Sequence, residues 1–179
     1  MKDIKVLTKI GFVAACMCVL GPVVIMLPIS PVPLSLTTFV IYLSVYLLST
    51  KYATVSCLIY LLIGLVGLPV FSAFTGGPGK LFGPTGGYLI GYLCIPVIAG
   101  SFLGRFKRSK VLRGIGFVLG TVCCYGLGTI WLVCQSKMEW AGAFMAGVIP
   151  FVVFDAFKIV VAMIVGEVIA KRLKIAGLQ

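Results

Sequence analysis

Gly147–Gly166 reads GVIPFVVFDAFKIVVAMIVG. A helix of about 20 residues crosses about 30 Å of hydrocarbon, and this run holds only two ionisable side chains, Asp155 and Lys158. A charge at that depth costs about 2.5–3.5 kcal/mol on insertion scales, so one that persists has a partner and marks a pathway or a binding site. The stretch is a transmembrane helix with a polar device inside it.

The flanking sequence has the same character. The chain has 179 residues and is 61% hydrophobic, with a mean hydropathy of +1.20, where soluble domains are about 45–50% apolar. Several other runs are long enough to span a bilayer, and the strict alternation of a membrane barrel is missing. The expectation is one domain over residues 1–179: an all-α, polytopic, multi-pass membrane protein embedded in the lipid bilayer.

Six spans can be placed: residues 5–27, 35–49, 53–67, 86–104, 112–134 and 143–170. The first ends at Pro28 and leads into PISPVPLS. It could pass for a secretory signal, since Lys2, Lys5 and Lys9 precede it. Residues 10–27 exceed an ordinary signal core, though, and no small-x-small cleavage site precedes Pro28, so a retained span is expected. The third span stops at Gly67-Leu68-Pro69, and a long Gly/Pro loop over 69–85 follows.

Charge then orients the chain. With both termini cytoplasmic, twelve of the fifteen basic residues fall at inner segments: near the N-terminus, at Lys51, across 105–113 and across 171–174. Lys80 and Lys137 fall outside, and Lys158 lies within the membrane. Cytoplasmic loops of membrane proteins carry this excess, and a five- or seven-span arrangement spoils it. The net charge of +11 does not indicate nucleic acid, because the basic residues form no single stripe with interleaved aromatics. The seven cysteines lie in predicted spans with no CxxC pair, and histidine is missing. They read as small core residues, and neither a metal site nor a disulfide framework is expected.

Asp155 and Lys158 are three residues apart and share one helix face. They could be a self-neutralising pair. They could equally be a ligand site offering a carboxylate acceptor and an ammonium donor, suited to a small molecule with an anionic group and N–H donors. Pro150 frees a backbone carbonyl near the outer end, and Phe151, Phe154 and Phe157 could line an apolar pocket. Lys158 as a catalytic nucleophile lacks companions, since no histidine exists to complete an acid–base constellation; no catalytic residue is expected. Glu167, near the inner end, is expected to meet Lys171.

The segment Gly76–Tyr88, GGPGKLFGPTGGY, interleaves glycine with Phe82 and Tyr88, after Phe71 and Phe74. Long ordered loops of this kind often act as lids. Gly86 and Gly87 begin the fourth span, where free N–H groups could meet a polar ligand group. The GxxxxGK[ST] nucleotide pattern is lacking, so energy for active transport would come from a partner or a gradient.

These segments resemble the BioY family. The resemblance is carried by PISPVPLSLTT (Pro28–Thr38), GLPVF…FTGG (Gly67–Gly77), GPTGGYLIGY (Gly83–Tyr92) and PFVVFDAFK (Pro150–Lys158), in order and spacing over nearly the whole chain. It implies a prokaryotic cell-membrane protein with no cofactor: the biotin-binding substrate component of an energy-coupling factor (ECF) importer, driven by a transmembrane coupling protein and two cytoplasmic ATPases. It implies an outward-facing site capped by the loop, in which Lys158 pairs with the biotin carboxylate and Asp155 accepts from the ureido ring. The expected ligand set adds Phe74, Thr85, Gly86 and Tyr88. Gly11, Ala14 and Ala15 on the first helix are the expected small-residue docking face. Thr37 stands where this family is expected to carry glutamine, and the loop offers Ser72, Thr75 or Thr85 in place of an asparagine. The alternatives are a related carboxylate such as dethiobiotin or a lipoate-like acid, an intramembrane acyl-processing enzyme using Lys158, and a purely structural subunit.

Overall fold

The computed structural model describes residues 2–25, 32–106 and 108–176. Pro28, the expected end of the first span, and Lys107 lie outside the described residues. Helix α1 covers Lys2–Leu20 and ends earlier than the sequence suggests. The break is Gly21-Pro22: proline has no N–H to donate and pushes the residue before it out of helical geometry. A short antiparallel pair follows, β1 (Val24–Ile25) and β2 (Leu34–Ser35), with Val24 opposite Ser35.

Helix α2 is Thr37–Leu47 and α3 is Thr50–Leu65. At 1.5 Å per residue α2 is only about 16 Å long, shorter than the second span expected. A 3₁₀ turn at Ser72–Phe74 and α4 (Pro78–Leu81) shape the glycine-rich loop. Helices α5 (Gly86–Gly91) and α6 (Cys94–Arg105) form one apolar segment, broken where Pro96 cannot donate to the carbonyl one turn earlier. Helix α7 runs Lys110–Ser136, capped by Ser109 Oγ, which accepts from the Leu112 N–H at 3.3 Å. Helices α8 (Trp140–Gly147) and α9 (Ile149–Ile175) are divided just before Pro150.

Among the described residues, three segments are long and apolar enough to cross a membrane: Gly86–Arg105, Lys110–Ser136 and Trp140–Ile175. The main packing partners are α6 on α7, α5 on α7, α2 on α9 and α1 on α3. Tyr42 meets Phe117 edge-on and Tyr46 stacks on it, both at 5.7 Å. The exterior is apolar, with Phe12, Val122, Ile130, Val153, Phe157 and Ile164 exposed. That surface suits lipid and would be a liability in water.

One end of the bundle gathers the start of α1, the α2–α3 turn and the end of α6, around a cleft of about 460 Å³. There Arg113 contacts Glu167 at 2.8 Å and Lys110 contacts it at 3.5 Å. Glu167 thus ties α9 to α7, where the sequence alone suggests Lys171 as its partner. The cause is the crossing of the two helices, which brings the Arg113 guanidinium closer than a neighbour on the same helix. The opposite end holds the hairpin, the glycine-rich loop and α8.

Candidate ligand site

Helix α9 presents Asp155 and Lys158 to the bundle interior, where they are 5% and 8% exposed. Lys158 Nζ lies 2.9 Å from Asp155 Oδ1. It also donates to the Ser35 carbonyl at 2.7 Å and to Thr38 Oγ1 at 3.0 Å. An ammonium has three donors, and each is engaged. Thr38 Oγ1 donates to Asp155 Oδ1 at 3.2 Å, and the Tyr125 hydroxyl donates to Oδ2 at 2.6 Å. A carboxylate offers about four acceptor positions. Among the described residues Lys158, Thr38 and Tyr125 fill three, and the one left over is on Oδ2.

A second layer supports this network. Thr121 Oγ1 donates to the Phe117 carbonyl at 2.9 Å, so the Tyr42 hydroxyl 2.8 Å away donates to Thr121. On the other side Val32, Pro33 and Ser35 form a wall, with Tyr88 and Tyr92 beside it. The void next to the ion pair is about 40 Å³. A second void of about 20 Å³ lies toward the loop, reached by Thr37, Tyr60, Ser72 and Thr85, and shares Pro33, Ser35, Tyr88 and Tyr92 with the first. Pockets for small ligands usually hold about 300–1,000 Å³, so a ligand of vitamin size fits only if this wall moves. Between α7, α8 and α9 an apolar groove of about 750 Å³ opens on the outer surface, and Thr121, Tyr125 and Asp155 line both groove and void. Tyr125 and Asp155 therefore both border the lipid-facing side.

The loop is held down by backbone carbonyls. Trp131 Nε1 donates to Gly83 at 2.9 Å, Gln135 Nε2 to Phe82 at 3.0 Å, and the Gly77 N–H to Gly64 at 2.7 Å. Tyr88 is fixed more tightly. Its hydroxyl meets Thr129 Oγ1 at 3.3 Å; its ring fills the space that a Cβ at Gly128 would need, and its hydroxyl that of a Cβ at Gly147.

The sequence candidates separate on this geometry. Asp155, Lys158, Tyr88 and Thr85 border the two voids. Phe74 does not: Ala73 and Phe74 have φ of 58° and 55°, and this left-handed turn leaves Phe74 72% exposed. Gly86 is buried, but its N–H donates to the Gly83 carbonyl at 2.9 Å and is not free for a ligand. Phe151 is buried at the first void, whereas Phe154 and Phe157 point outward. On α1, Gly11 and Ala15 are exposed, while Ala14 is buried in the core. Thr37 borders the second void and meets Ser35 Oγ at 2.6 Å. Among the described residues no cluster of His, Cys, Asp and Glu could hold a metal ion.

Sequence reasoning missed Thr38, Tyr125 and the Ser35 carbonyl. Thr38 closes the quoted PISPVPLSLTT segment, which was the one available signal. Tyr125 stands with Thr121 and Thr129 at four-residue spacing in an otherwise apolar run, and that spacing is the signal that the sequence reading passes over.

A family model described as "BioY family" matches residues 1–175. The "Biotin transporter BioY" of Thermotoga maritima is 39% identical over 150 residues, covering 84% of this chain and 85% of that protein. The "Biotin transporter BioY2" of Lactococcus lactis subsp. cremoris is 33% identical over 167 residues, covering 93% and 91%. A crystal structure of the S-component for biotin from an ECF-type ABC transporter superimposes with a TM-score of 0.85 at 31% identity, covering 96% of this chain and 92% of that one.

Proposed function

The chain belongs to the BioY family, and from that premise we propose that it binds biotin at the Asp155–Lys158 site and serves as the substrate-specificity component of an ATP-driven ECF importer. The observation that carries the reading is the buried ion pair with its neutral hydrogen-bond shell. Burying two charges is rarely favourable compared with an apolar core, whereas a polar ligand gives the pair a use. The protein acts by binding, as a transporter component and not an enzyme.

The finer arrangement follows from charge and packing. Six crossings put both termini in the cytoplasm of a prokaryotic cell and the basic end inside. The loop with Lys80 then faces outward over the site. A transmembrane coupling protein and two ATPases supply the energy, with the outward-facing Gly11 and Ala15 of α1 as the docking face.

Calorimetric titration of the purified protein with biotin tests the reading. Lys158→Ala and Asp155→Asn should each weaken binding by at least about tenfold, since a hydrogen bond to a charged group contributes about 1.5–3 kcal/mol. Wild-type affinity in both variants would remove the site. Folded wild-type protein that does not bind biotin would remove the function, and direct titration with dethiobiotin and lipoate would then identify the carboxylate it takes.

A further inference from the structure

We infer that the cleft at the basic end of the bundle binds the phosphate headgroup of an anionic phospholipid. The inference goes beyond biotin binding; it rests on the membrane reading and on this end lying at the cytoplasmic leaflet.

Size and lining come first. The cleft holds about 460 Å³ between the start of α1, the α2–α3 turn and the end of α6. That lies within the range of about 300–1,000 Å³ usual for small-molecule sites. Val6, Val45 and Leu103 make part of the lining apolar, while Lys9, Ser49 and Thr50 make another part polar. A wall of this mixed kind fits a molecule that is itself half apolar. Tyr46 also borders the cleft and is 6% exposed. Its hydroxyl is the one buried side-chain N or O among the described residues with no hydrogen-bond partner. Buried polar atoms left over in this way are rare.

Charge is the second argument. Lys9 lines the cleft, Lys51 stands between the lining residues Thr50 and Tyr52, and Arg105 follows the lining residue Gly104. Lys5 is one helical turn before Lys9, and Lys5, Lys51 and Arg105 are exposed. The chain has four acids. Glu139 and Asp155 lie elsewhere, and Glu167 is held by Arg113 and Lys110. Asp3, at the start of α1, is the one acid left to set against these four cations. The cleft therefore favours an anion.

Position decides which anion. Basic pockets between transmembrane helices on the cytoplasmic side are matched to lipid headgroups, and each Lys or Arg near the surface adds to the attraction. Helix α3 leads away from the cleft with Leu58 and Leu62 exposed, an apolar surface against which acyl chains can lie. A soluble phosphate would make no use of it. Ser49, the N-cap of α3, is exposed and makes no capping bond with its side chain, so its hydroxyl is available to a phosphate oxygen.

Native mass spectrometry of the full-length protein in detergent tests the inference, with dioleoyl-phosphatidylglycerol and dioleoyl-phosphatidylcholine added in equal amounts. The chains are identical, so only the headgroup charge differs. The first bound lipid should be phosphatidylglycerol by about tenfold or more in the wild type. The preference should fall to within about twofold in Lys9→Gln combined with Lys51→Gln and Arg105→Gln. It should persist in Lys171→Gln combined with Arg172→Gln and Lys174→Gln, which removes the same charge from α9 away from the cleft. Glycerol phosphate, the headgroup without chains, should bind at least about tenfold more weakly than the lipid. A ratio of two lipids on one preparation does not depend on the fraction folded. If the triple variant fails to fold, Lys51→Gln alone should reduce the preference about threefold. No preference in the wild type, an unchanged preference in the cleft variant, or an equal loss in the α9 variant overturns the inference. Glycerol phosphate binding as tightly as the lipid assigns the cleft to a soluble phosphate and overturns it too. Biotin affinity is a separate reading: the cleft variant should keep its Kd within about twofold, and wild-type protein that takes the lipid but not biotin would remove the proposed function alone.

Discussion

Asp155 is oriented by two hydroxyls from other helices, Thr38 of α2 and Tyr125 of α7. The 2.6 Å contact from Tyr125 is the shorter and goes to the oxygen that keeps an open acceptor position. Hydrogen bonds to a charged group contribute about 1.5–3 kcal/mol, and this one also fixes where the remaining lone pair points. Tyr125→Phe keeps the ring at the edge of the lipid-facing groove and removes only the donor. Biotin affinity should fall by about tenfold with the melting temperature little changed. Calorimetry that finds an unchanged Kd would mean that Thr38 and Lys158 orient the carboxylate without help. The acid and base are legible in the sequence because ionisable groups are rare in an apolar run. Tyr125 and Thr38 are harder to read, because hydroxyls are ordinary in membrane helices and only the crossing of α2, α7 and α9 brings them together.

At the level of elements, proline and glycine set the boundaries. Gly21-Pro22 ends α1, Pro96 breaks α5 from α6, and Pro150 separates α8 from α9. Those breaks are visible as residues, yet the apolar run continues past Pro22 to Pro28 and hides where the first helix ends. The hairpin of β1 and β2 is not visible at all, since two-residue strands are too short to show alternation. Glycine also decides how α5 meets α7 and α8. A Cβ at Gly128 would strike the Tyr88 ring, and one at Gly147 would strike its hydroxyl. Gly128→Ala should therefore push Tyr88 into the void it borders and weaken biotin binding several-fold, although alanine favours the helix itself by about 1 kcal/mol. Gly126, on the same helix, has open space where a Cβ would stand, and Gly126→Ala is the matched control. Equal binding by both variants, measured side by side, would show that Tyr88 has room to retreat without touching the ligand.

For the molecule as a whole, the proposed binding site and the proposed docking face lie apart. The ion pair lies inside, while α1 shows Gly11 and Ala15 on its exposed side and keeps Val13, Ala14 and Met17 in the core. In the sequence Gly11, Ala14 and Ala15 look like one face because small residues recur there, but a helix turns about 100° per residue, so Ala14 sits well away from Ala15. A Cβ at Gly11 would meet nothing within 4 Å, which makes the position a probe of docking with no cost to the fold. Gly11→Leu combined with Ala15→Leu should leave the Kd for biotin within about twofold, as expected for exposed changes away from the site. ATP-driven uptake by cells that supply the coupling subunits should nevertheless fall by about tenfold or more, because close helix approach depends on small residues. Ala14→Leu should behave in the opposite way, costing about 1–3 kcal/mol of stability by overfilling the core and lowering uptake only in proportion to the protein that survives. Unimpaired uptake in the double variant would remove α1 from the docking surface, and a weakened Kd would show that its exposed side supports the site instead.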